Sequence, residues 1–598
     1  MRDNSYNNEV LHVVDYFNNS LIAKNDKIVN DVFNQKIAAQ SKIDIGANRV
    51  TADKIYDLDK NILRENKEVN RSRIGINLLR IFGVCLAVAG AILILLAVLG
   101  PIPSLNTIWY SVGPACICVG SVLFALSWRV KKSYLINRSQ LQELQETRLK
   151  EFTTASQQLA DIKNHIYSDL TFSIFEQTYP LINFNRFFSE TDYGNWTEWL
   201  KDDVNSSVLF CMSGNLKTNP FIILKTKSTE MYDHVYRGSK TVMVRRMRYV
   251  NNRPSFYMAP KVIIATTTNP APRYWTATKL FFKSNAAESL NFQNMNEFKS
   301  EHKAEKYFKK DKNMEPMDNP EFDRYFPCQR DNEVQFRTLF SPLAQEEIIK
   351  LMKVKSDYLF TKHKTINIIT SPSFENINFN VNYNNYQQEF DYSKIQAHFI
   401  EDNKLFFKDI YFMFAPILAI PLYQQYPYHQ PIFEKTKQKL LAYSQNESIV
   451  NTMHNIDNFK HPQSVTDNIL KTKRIFANDL CEINEIIAHG YRSSSRIVIV
   501  TVTDVEAGVV SVPVTVIDYF AVQKSTNVIN SFVDHSAKDF DTNNSSFRSV
   551  WVNYAKTLNV SNVSKKGNFI SMITNKNINS IDKKTYKDFL NKINNIAA

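Results

Sequence analysis

Glycine is scarce in this chain, and its absence excludes several enzyme classes. Only six of the 13 glycines follow residue 130, and no two of those six are closer than 18 residues. The phosphate-binding P-loop, the dinucleotide fingerprint and the kinase loop need paired glycines, because their backbone N–H groups must approach phosphate closely. The nucleophile elbow of serine hydrolases also needs two glycines. Gly238-Ser239-Lys240-Thr241 matches only the end of a P-loop, so we interpret it as a chance match.

Residue patterns typical of metal sites are also missing or incomplete in this sequence. The six cysteines contain no CxxC pair, and three of them lie inside apolar runs, so we predict neither a disulfide framework nor a zinc site. Residues 539–543 resemble the start of a calcium loop that lacks the required glycine and final glutamate. Glu485 and His489 lie one turn apart if their segment is helical, but no second histidine completes a zinc motif. We expect no metal, no cofactor and no identifiable catalytic residue, and whether the protein is an enzyme stays open.

Long uncharged runs are what the chain does have. Ile81–Leu99 and Ile108–Trp128 contain no Asp, Glu, Lys or Arg, and each is close to the roughly 20 residues that a helix needs to cross a bilayer. The linker Gly100–Thr107 holds two prolines and no charge, which indicates a tight turn. The sequence therefore predicts a transmembrane helical hairpin.

Basic residues flank the predicted hairpin on both sides. They are Arg71, Arg73 and Arg80 before it and Arg129, Lys131 and Lys132 after it. Since Lys and Arg collect on the cytoplasmic flanks of spans, we predict that both termini are cytoplasmic. We expect no cleavable signal peptide, so the first span must direct insertion. Asn- and Lys-rich usage suggests an AT-rich bacterial genome, so the expected location is the inner or plasma membrane of a bacterial cell.

Apolar residues recur at helical spacing on either side of the hairpin. Residues 55–69 keep apolar side chains near one helical face, and residues 141–166 keep a near-heptad spacing typical of a coiled coil. Because a hairpin places its two ends side by side, we predict that 50–75 and 132–168 pair as an antiparallel extension of the membrane helices. The alternative is that each segment packs on its own globular domain.

After about residue 179 the pattern changes to short β-type runs separated by Pro, Asn and Ser. Predicted strands are Ser207–Met212, Phe221–Lys225, Thr241–Val250, Lys261–Thr267 and Lys279–Phe282, then 365–370, 376–382 and 395–400 after a helix at Leu343–Met352. Arg496–Thr503 and Val509–Val522 predict a further hairpin, with Pro513 at an edge or bulge. The apolar segment Phe406–Tyr423 contains two prolines and two charges, which favours a buried or interfacial helix over a third span.

The predicted fold class is α+β, with five parts. They are an N-terminal helical cytoplasmic segment (1–75), the transmembrane hairpin (76–130), a helical stalk (131–175), a mixed α+β domain (176–430), and a C-terminal α+β region with a β-hairpin and a basic terminal helix (431–598).

Two basic patches are candidate contacts with an anionic surface. Their residues are Arg245, Arg246, Arg248 and Arg253 near one predicted strand, and Lys583, Lys584, Lys587 and Lys592 along the predicted terminal helix. The first patch either binds lipid or nucleic acid or keeps an exposed sheet edge soluble. The second either lies in a membrane interface or flanks an apolar stripe that docks on the chain's own core.

One segment resembles a known family. Residues 319–342 are Asn-Pro-Glu-Phe-Asp-Arg-Tyr-Phe-Pro-Cys-Gln-Arg-Asp-Asn-Glu-Val-Gln-Phe-Arg-Thr-Leu-Phe-Ser-Pro, preceded by Lys279-Leu-Phe-Phe282. This is similar to the bacterial family called domain of unknown function 3137, whose members carry an N-terminal two-helix membrane anchor and a related NPEF segment. The resemblance covers about residues 280–425 and the hairpin arrangement, although Pro327-Cys328 departs from the apolar residues expected there. It implies a membrane-anchored architecture and carries no catalytic residue.

These patterns favour a double-pass membrane protein that acts as a cytoplasm-facing scaffold or interaction platform. Its expected partners are the lipid bilayer and a protein partner or a second copy. The net charge of +13 fits attraction to an anionic leaflet without further assumption, so nucleic acid is not the favoured partner. Two alternatives stay open: a membrane-tethered enzyme with a dispersed site, and a basic module that recruits nucleic acid or anionic lipid.

Overall fold

The computed structural model describes residues 12–41, 43–99, 103–166, 168–185, 206–250, 253–310, 314–379, 386, 388–426, 450, 454–477, 481–532, 560–566 and 569–574. The chain is a mixed α+β protein that divides into two compact units. The first comprises residues 1–28, 168–380 and 403–598, and the second comprises residues 29–167 and 381–402.

The described helices are α1 (Val13–Tyr16), α2 (Ile22–Val32), α3 (Ile45–Leu99), α4 (Pro103–Gln158), α5 (Ala160–His165), α6 (Ser168–Thr178), α7 (Glu301–Lys310), α8 (Pro320–Tyr325), α9 (Glu333–Leu339), α10 (Pro342–Val354), α11 (Tyr392–Leu418) and α12 (Leu422–Gln425). Two π-helical turns, Phe17–Leu21 and Phe33–Ala38, flank α2, and Pro372–Asn376 and Ile456–Asn458 form 3₁₀ turns.

The described strands are β1 (Ile182–Phe184), β2 (Ser206–Leu216), β3 (Asn219–Val250), β4 (Arg253–Lys283), β5 (Asn291–Asn294), β6 (Cys328–Arg330), β7 (Leu359–His363), β8 (Ile366–Thr370), β9 (Ile469–Ala477), β10 (Cys481–Asp504), β11 (Gly508–Phe532), β12 (Val560–Lys566) and β13 (Phe569–Thr574). They form an eight-stranded sheet in the order β1-β2-β3-β4-β8-β7-β5-β6 and a five-stranded sheet in the order β12-β13-β11-β10-β9.

Helices α3 and α4 dominate the second unit and pair along their length. Both are long and apolar enough to cross a membrane. In the most apolar 18-residue stretch of each helix, only 11% of the residues of α3 and 17% of those of α4 are buried. At 1.5 Å per residue each helix is about 80 Å long, well beyond the roughly 30 Å of a hydrocarbon core. The salt bridge between Arg148 and Asp59, 2.7 Å long, joins the helices far from the apolar ends. The predicted antiparallel pairing of 50–75 with 132–168 is therefore confirmed as far as Gln158, where α4 ends.

Buried or half-buried residues recur every seven positions along this helix pair, and most of them are fully buried. On α3 the buried ones are Asn48, Ile55, Val69, Ile76, Gly83 and Gly90, and on α4 they are Gly113, Gly120, Ser127 and Ala155. A strict seven-residue repeat keeps one seam facing the partner and is typical of a left-handed coiled coil. The glycines bring the backbones together, since a Cβ at Gly90 would lie 2.6 Å from the Gly113 carbonyl oxygen and one at Gly120 would lie 2.7 Å from that of Gly83.

An aromatic core holds the first unit together. Phe221 of β3 packs edge to face against Phe414 of α11, with ring centroids 4.7 Å apart. Residues near the N-terminus belong to the same core, because the Phe17 ring lies 5.0 Å from that of Tyr411. Residues 406–418 of α11 are largely buried among these rings, so the predicted burial of the segment 406–423 is confirmed.

Several sequence predictions need correction. The segment 376–382 contains no strand at its described positions, and 395–400 lies in α11, where apolar residues recur at helical spacing. Glu485 and His489 lie on strand β10, so they are not one helical turn apart. The linker predicted at Gly100–Thr107 is shorter, since α4 begins at Pro103, whose fixed φ suits the first helical position. The calcium-like segment 539–543 and the predicted terminal helix lie outside the described residues.

Candidate functional site

Two very long β-hairpins project from the sheets of the first unit. In the first hairpin, β3 pairs with β4 without a break from Phe221 opposite Phe282 to Val250 opposite Arg253. In the second, β10 pairs with β11 from Cys481 opposite Ser531 to Asp504 opposite Gly508. Among the described residues no strand pairs with β3 beyond Ser228, so its last 22 residues extend about 70 Å at 3.3 Å each. We call residues 229–278 and 490–526 the arm.

The two hairpins of the arm pack face to face through an apolar seam. Ile263 and Ala265 of β4 are buried against four alternate valines of β11, namely Val510, Val512, Val514 and Val516. Gly238 permits the close approach, because a Cβ there would lie 2.2 Å from the Pro513 carbonyl oxygen. The resemblance of Gly238–Thr241 to a P-loop is therefore coincidental, since these residues lie within a continuous strand.

Ion pairs join the two hairpins near their ends. Lys261 Nζ lies 2.9 Å from Asp504 Oδ1 and 2.8 Å from Glu506 Oε2, and Arg246 lies 3.2 Å from Glu506. Hydrogen bonds from Lys261 lower the pKa of both carboxylates. Farther along, Asn269 Nδ2 donates to the Ile517 carbonyl at 2.7 Å. The acidic turn of the second hairpin thus neutralises part of the basic first hairpin.

The outer face of the first hairpin is exposed and apolar. Alternation along antiparallel strands sends odd residues of β3 and even residues of β4 to the side away from the second hairpin. The exposed apolar residues on this side are Val235, Met243, Met247, Tyr249, Phe256, Met258, Val262 and Ile264, each between 52% and 68% exposed. Contiguous exposed apolar surface of this kind is a candidate interaction site. We call this surface, residues 243–262 on that side, the outer face.

Prolines protect one free edge of the arm from pairing with further strands. Pro254, Pro260, Pro270 and Pro272 all occupy even positions of β4, so their missing N–H groups fall on one edge of the strand. Because a proline cannot donate to a ladder, this edge is the one facing away from β3. Pro513 similarly lies opposite Ile499 where β11 has no second described neighbour, which confirms its predicted edge position. Because this edge cannot pair with further strands, the outer face is the surface of the arm that is open to other molecules.

The predicted basic patch lies at the end of the arm, but its members differ in surroundings. Arg245 is on the outer face, with its guanidinium 3.9 Å from the centre of the Phe256 ring. Arg246 faces the second hairpin and pairs with Glu506. Arg248 lies 5.4 Å from the Tyr257 ring, and Arg253 is exposed beside the turn. The lysines Lys583, Lys584, Lys587 and Lys592 lie outside the described residues.

The predicted membrane-flanking residues lie on the coiled coil at one level. Arg71, Arg73 and Arg80 are on α3, and Arg129, Lys131 and Lys132 are on α4. Gly83 contacts Gly120 and Gly90 contacts Gly113, so the same register places Ile76 opposite Ser127 between the two basic clusters. Arg71 pairs with Glu68 on its own helix at 3.2 Å. The two clusters therefore form one basic collar below the apolar halves of the helices.

A cluster of His12, Asp15 and Glu347 places three metal-ligating atoms within 4.8 Å of one another. Lys350 already supplies a cation, since its Nζ lies 2.9 Å from Glu347 Oε1 and 3.0 Å from Asp15 Oδ2. The buried Glu347 also accepts a hydrogen bond of 3.0 Å from the backbone N–H of Val13. The cluster therefore anchors the N-terminal helix to α10.

Two other charged groups, the buried Lys362 and the half-buried Asp357, have structural surroundings. Burial lowers the pKa of Lys362 to about 7, and its ammonium donates to the Lys364 carbonyl beside the Tyr423 ring. Asp357 accepts a 2.6 Å hydrogen bond from Ser371, and this hydroxyl caps the 3₁₀ turn that follows. Neither group faces a nucleophile–base pair, so we assign no catalytic role to them.

The segment that resembles the family builds the core. Asn319 caps α8 by accepting from the backbone N–H of Glu321 at 3.1 Å, and Phe322 is fully buried. Arg330 pairs with Glu333 at 2.6 Å and lies 4.2 Å from the Phe336 ring. Comparison with family models, with curated proteins and with solved structures gives no match to this chain. The resemblance stays a prediction.

Sequence analysis found the strands of the arm but missed its length. Four separate short strands were expected where the two long strands β3 (Asn219–Val250) and β4 (Arg253–Lys283) run. The signal that was available is the alternation across residues 231–264, where apolar side chains occupy both faces and no helix-type period intervenes. Apolar residues on both sides of a two-stranded ribbon indicate that both sides present surface suited to packing.

Proposed function

We propose that this protein is a double-pass membrane protein of the bacterial plasma membrane that presents its α+β body, and above all the arm, as an interaction platform. The observation that carries the proposal is the exposed apolar outer face on a structure about 70 Å long. In a soluble protein without a binding partner, such an exposed apolar surface would favour aggregation.

The coiled coil supports membrane anchoring. Its apolar halves expose large side chains such as Ile81, Phe82 and Leu95, each 59% exposed, while small residues fill the seam. This is the distribution expected where lipid surrounds a close helix pair. The basic collar supports the placement of both termini in the cytoplasm.

The arm supports a role in binding rather than catalysis. The ion pairs that Lys261 and Arg246 form with Asp504 and Glu506 join the two hairpins to each other, which is a structural role. Its outer face is held rigid by the valine seam behind it, so a partner would meet a preformed surface and little ordering entropy would be lost.

In-cell photo-crosslinking tests the proposal. A benzophenone amino acid replaces Met258 on the outer face or, as a matched control, Leu63 on α3; the two positions are 56% and 61% exposed. We expect adducts of protein or lipid at Met258 well above those at Leu63. Equal or absent adducts at both positions would contradict an interaction platform.

A further inference from the structure

We propose that the outer face of the arm docks on an anionic lipid bilayer. The inference rests on the proposed function, because it names what the arm contacts. The surface joins two features that a membrane interface recognises, exposed apolar or aromatic side chains and unneutralised positive charge.

The apolar part of the surface is suited to shallow insertion. Met247, Phe256 and Met258 are 52%, 55% and 56% exposed, and Tyr249 beside the turn is 68% exposed. Amphipathic rings such as that of tyrosine are favoured at the level of lipid headgroups. Because the seam on the opposite side fixes the ribbon, these side chains would enter the interface together.

Beyond Asp233 the charge on this hairpin is of one sign. Residues 234–283 contain ten Lys or Arg and no Asp or Glu. The acidic turn of the second hairpin pairs with Lys261 and Arg246, both of which face it. Arg245 instead stands on the outer face, and its contact with the Phe256 ring sets a guanidinium directly beside apolar surface. An anionic headgroup layer is complementary to this arrangement.

The same charges disfavour a second copy as the occupant. On the outer face no carboxylate lies beyond Asp233, so two such faces brought together would offer no carboxylate near Arg245 of either copy. The prolines along β4 also prevent its edge from pairing with a strand of another molecule. A bilayer satisfies both the apolar side chains and the arginines, because long basic side chains can extend to phosphate while their stems stay in apolar surroundings.

The test uses the full chain reconstituted in nanodiscs of zwitterionic lipid. Co-flotation is measured with vesicles of phosphatidylcholine alone and with vesicles that contain about 30 mol % phosphatidylglycerol, where each basic residue near the surface contributes roughly fivefold to binding. We expect flotation with the anionic vesicles only. Arg245→Gln, which removes the arginine of the outer face, should lower the vesicle affinity by about fivefold.

A second variant tests the apolar contribution with a matched control. Met247→Asp with Met258→Asp should abolish flotation, whereas Ile497→Asp with Ile499→Asp, on the outward side of the second hairpin, should leave it unchanged. Unchanged melting temperatures show that all variants fold. The inference is overturned if neutral vesicles bind as well as anionic ones, if the folded Met variant still floats, or if the arm instead joins two nanodisc-held copies. If the photo-crosslinker at Met258 forms adducts with protein and none with lipid, the interaction platform stays supported and lipid docking is refuted.

Discussion

At the scale of single residues, the arm depends on a position without a side chain. Gly238 faces the Pro513 carbonyl so closely that any Cβ must displace backbone. The alternation of valines on β11 could be predicted as a strand from sequence, but the close contact at Gly238 could not, because it joins residues 275 positions apart.

Substitution of Gly238 should separate the two hairpins. We expect Gly238→Val to lower the free energy of unfolding by about 2 kcal/mol, as for other overpacked sites. Ser239→Val is the control, since Ser239 is exposed on the opposite side and valine favours strands. Chemical denaturation in detergent measures both. Equal stabilities for the two variants would refute the close packing.

Asp323 should make stability depend on pH. Burial raises the pKa of this carboxyl to about 6 from 3.8. The folded state therefore holds the proton more tightly, so this contribution to stability is complete below about pH 4 and is lost as the pH rises through about 6. Asp323→Asn keeps an acceptor for the Met317 N–H, which donates at 2.7 Å, and does not titrate.

We expect the unfolding free energy of Asp323→Asn, relative to that of the native chain, to rise by up to about 3 kcal/mol between those pH values. Denaturation curves at both ends of the range measure it. A constant difference between the two proteins would show that the pKa of Asp323 is the same in the folded and the unfolded chain.

At the scale of elements, the coiled coil shows what sequence can and cannot predict. The two apolar runs and the near-heptad spacing after them sufficed to predict an antiparallel helix pair. Within the apolar runs nearly every residue is hydrophobic, so only the small residues indicate the contact side. On each helix two glycines lie seven residues apart, Gly83 with Gly90 and Gly113 with Gly120, and the structure places both pairs in the seam.

A large side chain in the glycine seam should force the helices apart. Gly90→Ile would place atoms against the Gly113 carbonyl and should cost roughly 2 kcal/mol, whereas Val88→Ile, at a position 53% exposed, should be neutral. Melting of the full chain in mild detergent measures the difference. A Gly90→Ile protein as stable as Val88→Ile would mean that the helices do not pack through the glycines.

At the scale of the whole molecule, the first unit combines residues from distant parts of the chain. Sequence analysis assigned residues 1–75 to a separate helical segment, yet Val13, Phe17 and Leu21 complete the core around α11. No local pattern indicates such a contact, since the apolar side chains of a short helix have the same spacing whichever surface they cover. A fragment that begins at residue 170 should therefore lack part of its core.

Phe17→Asp should destabilise this unit although almost 400 residues separate Phe17 from Tyr411. Loss of the ring contacts and burial of a charge should cost roughly 4 kcal/mol. Asn18→Asp, one residue along on an exposed position, is the matched control. Proteolysis of the body under native conditions should be faster in Phe17→Asp alone. Equal resistance of both variants would place the N-terminal helix outside the core.

The central proposal is a double-pass membrane topology with the arm in the cytoplasm, and a labelling experiment tests this topology most directly. Ser104→Cys lies at the start of α4 between the two apolar stretches, and Val505→Cys lies at the fully exposed turn of the second hairpin. In spheroplasts treated with a membrane-impermeant maleimide, we predict labelling at Ser104→Cys above the native chain and none at Val505→Cys until the membrane is permeabilised. Labelling of Val505→Cys in sealed spheroplasts, or of both sites alike, would contradict a double-pass protein with a cytoplasmic arm.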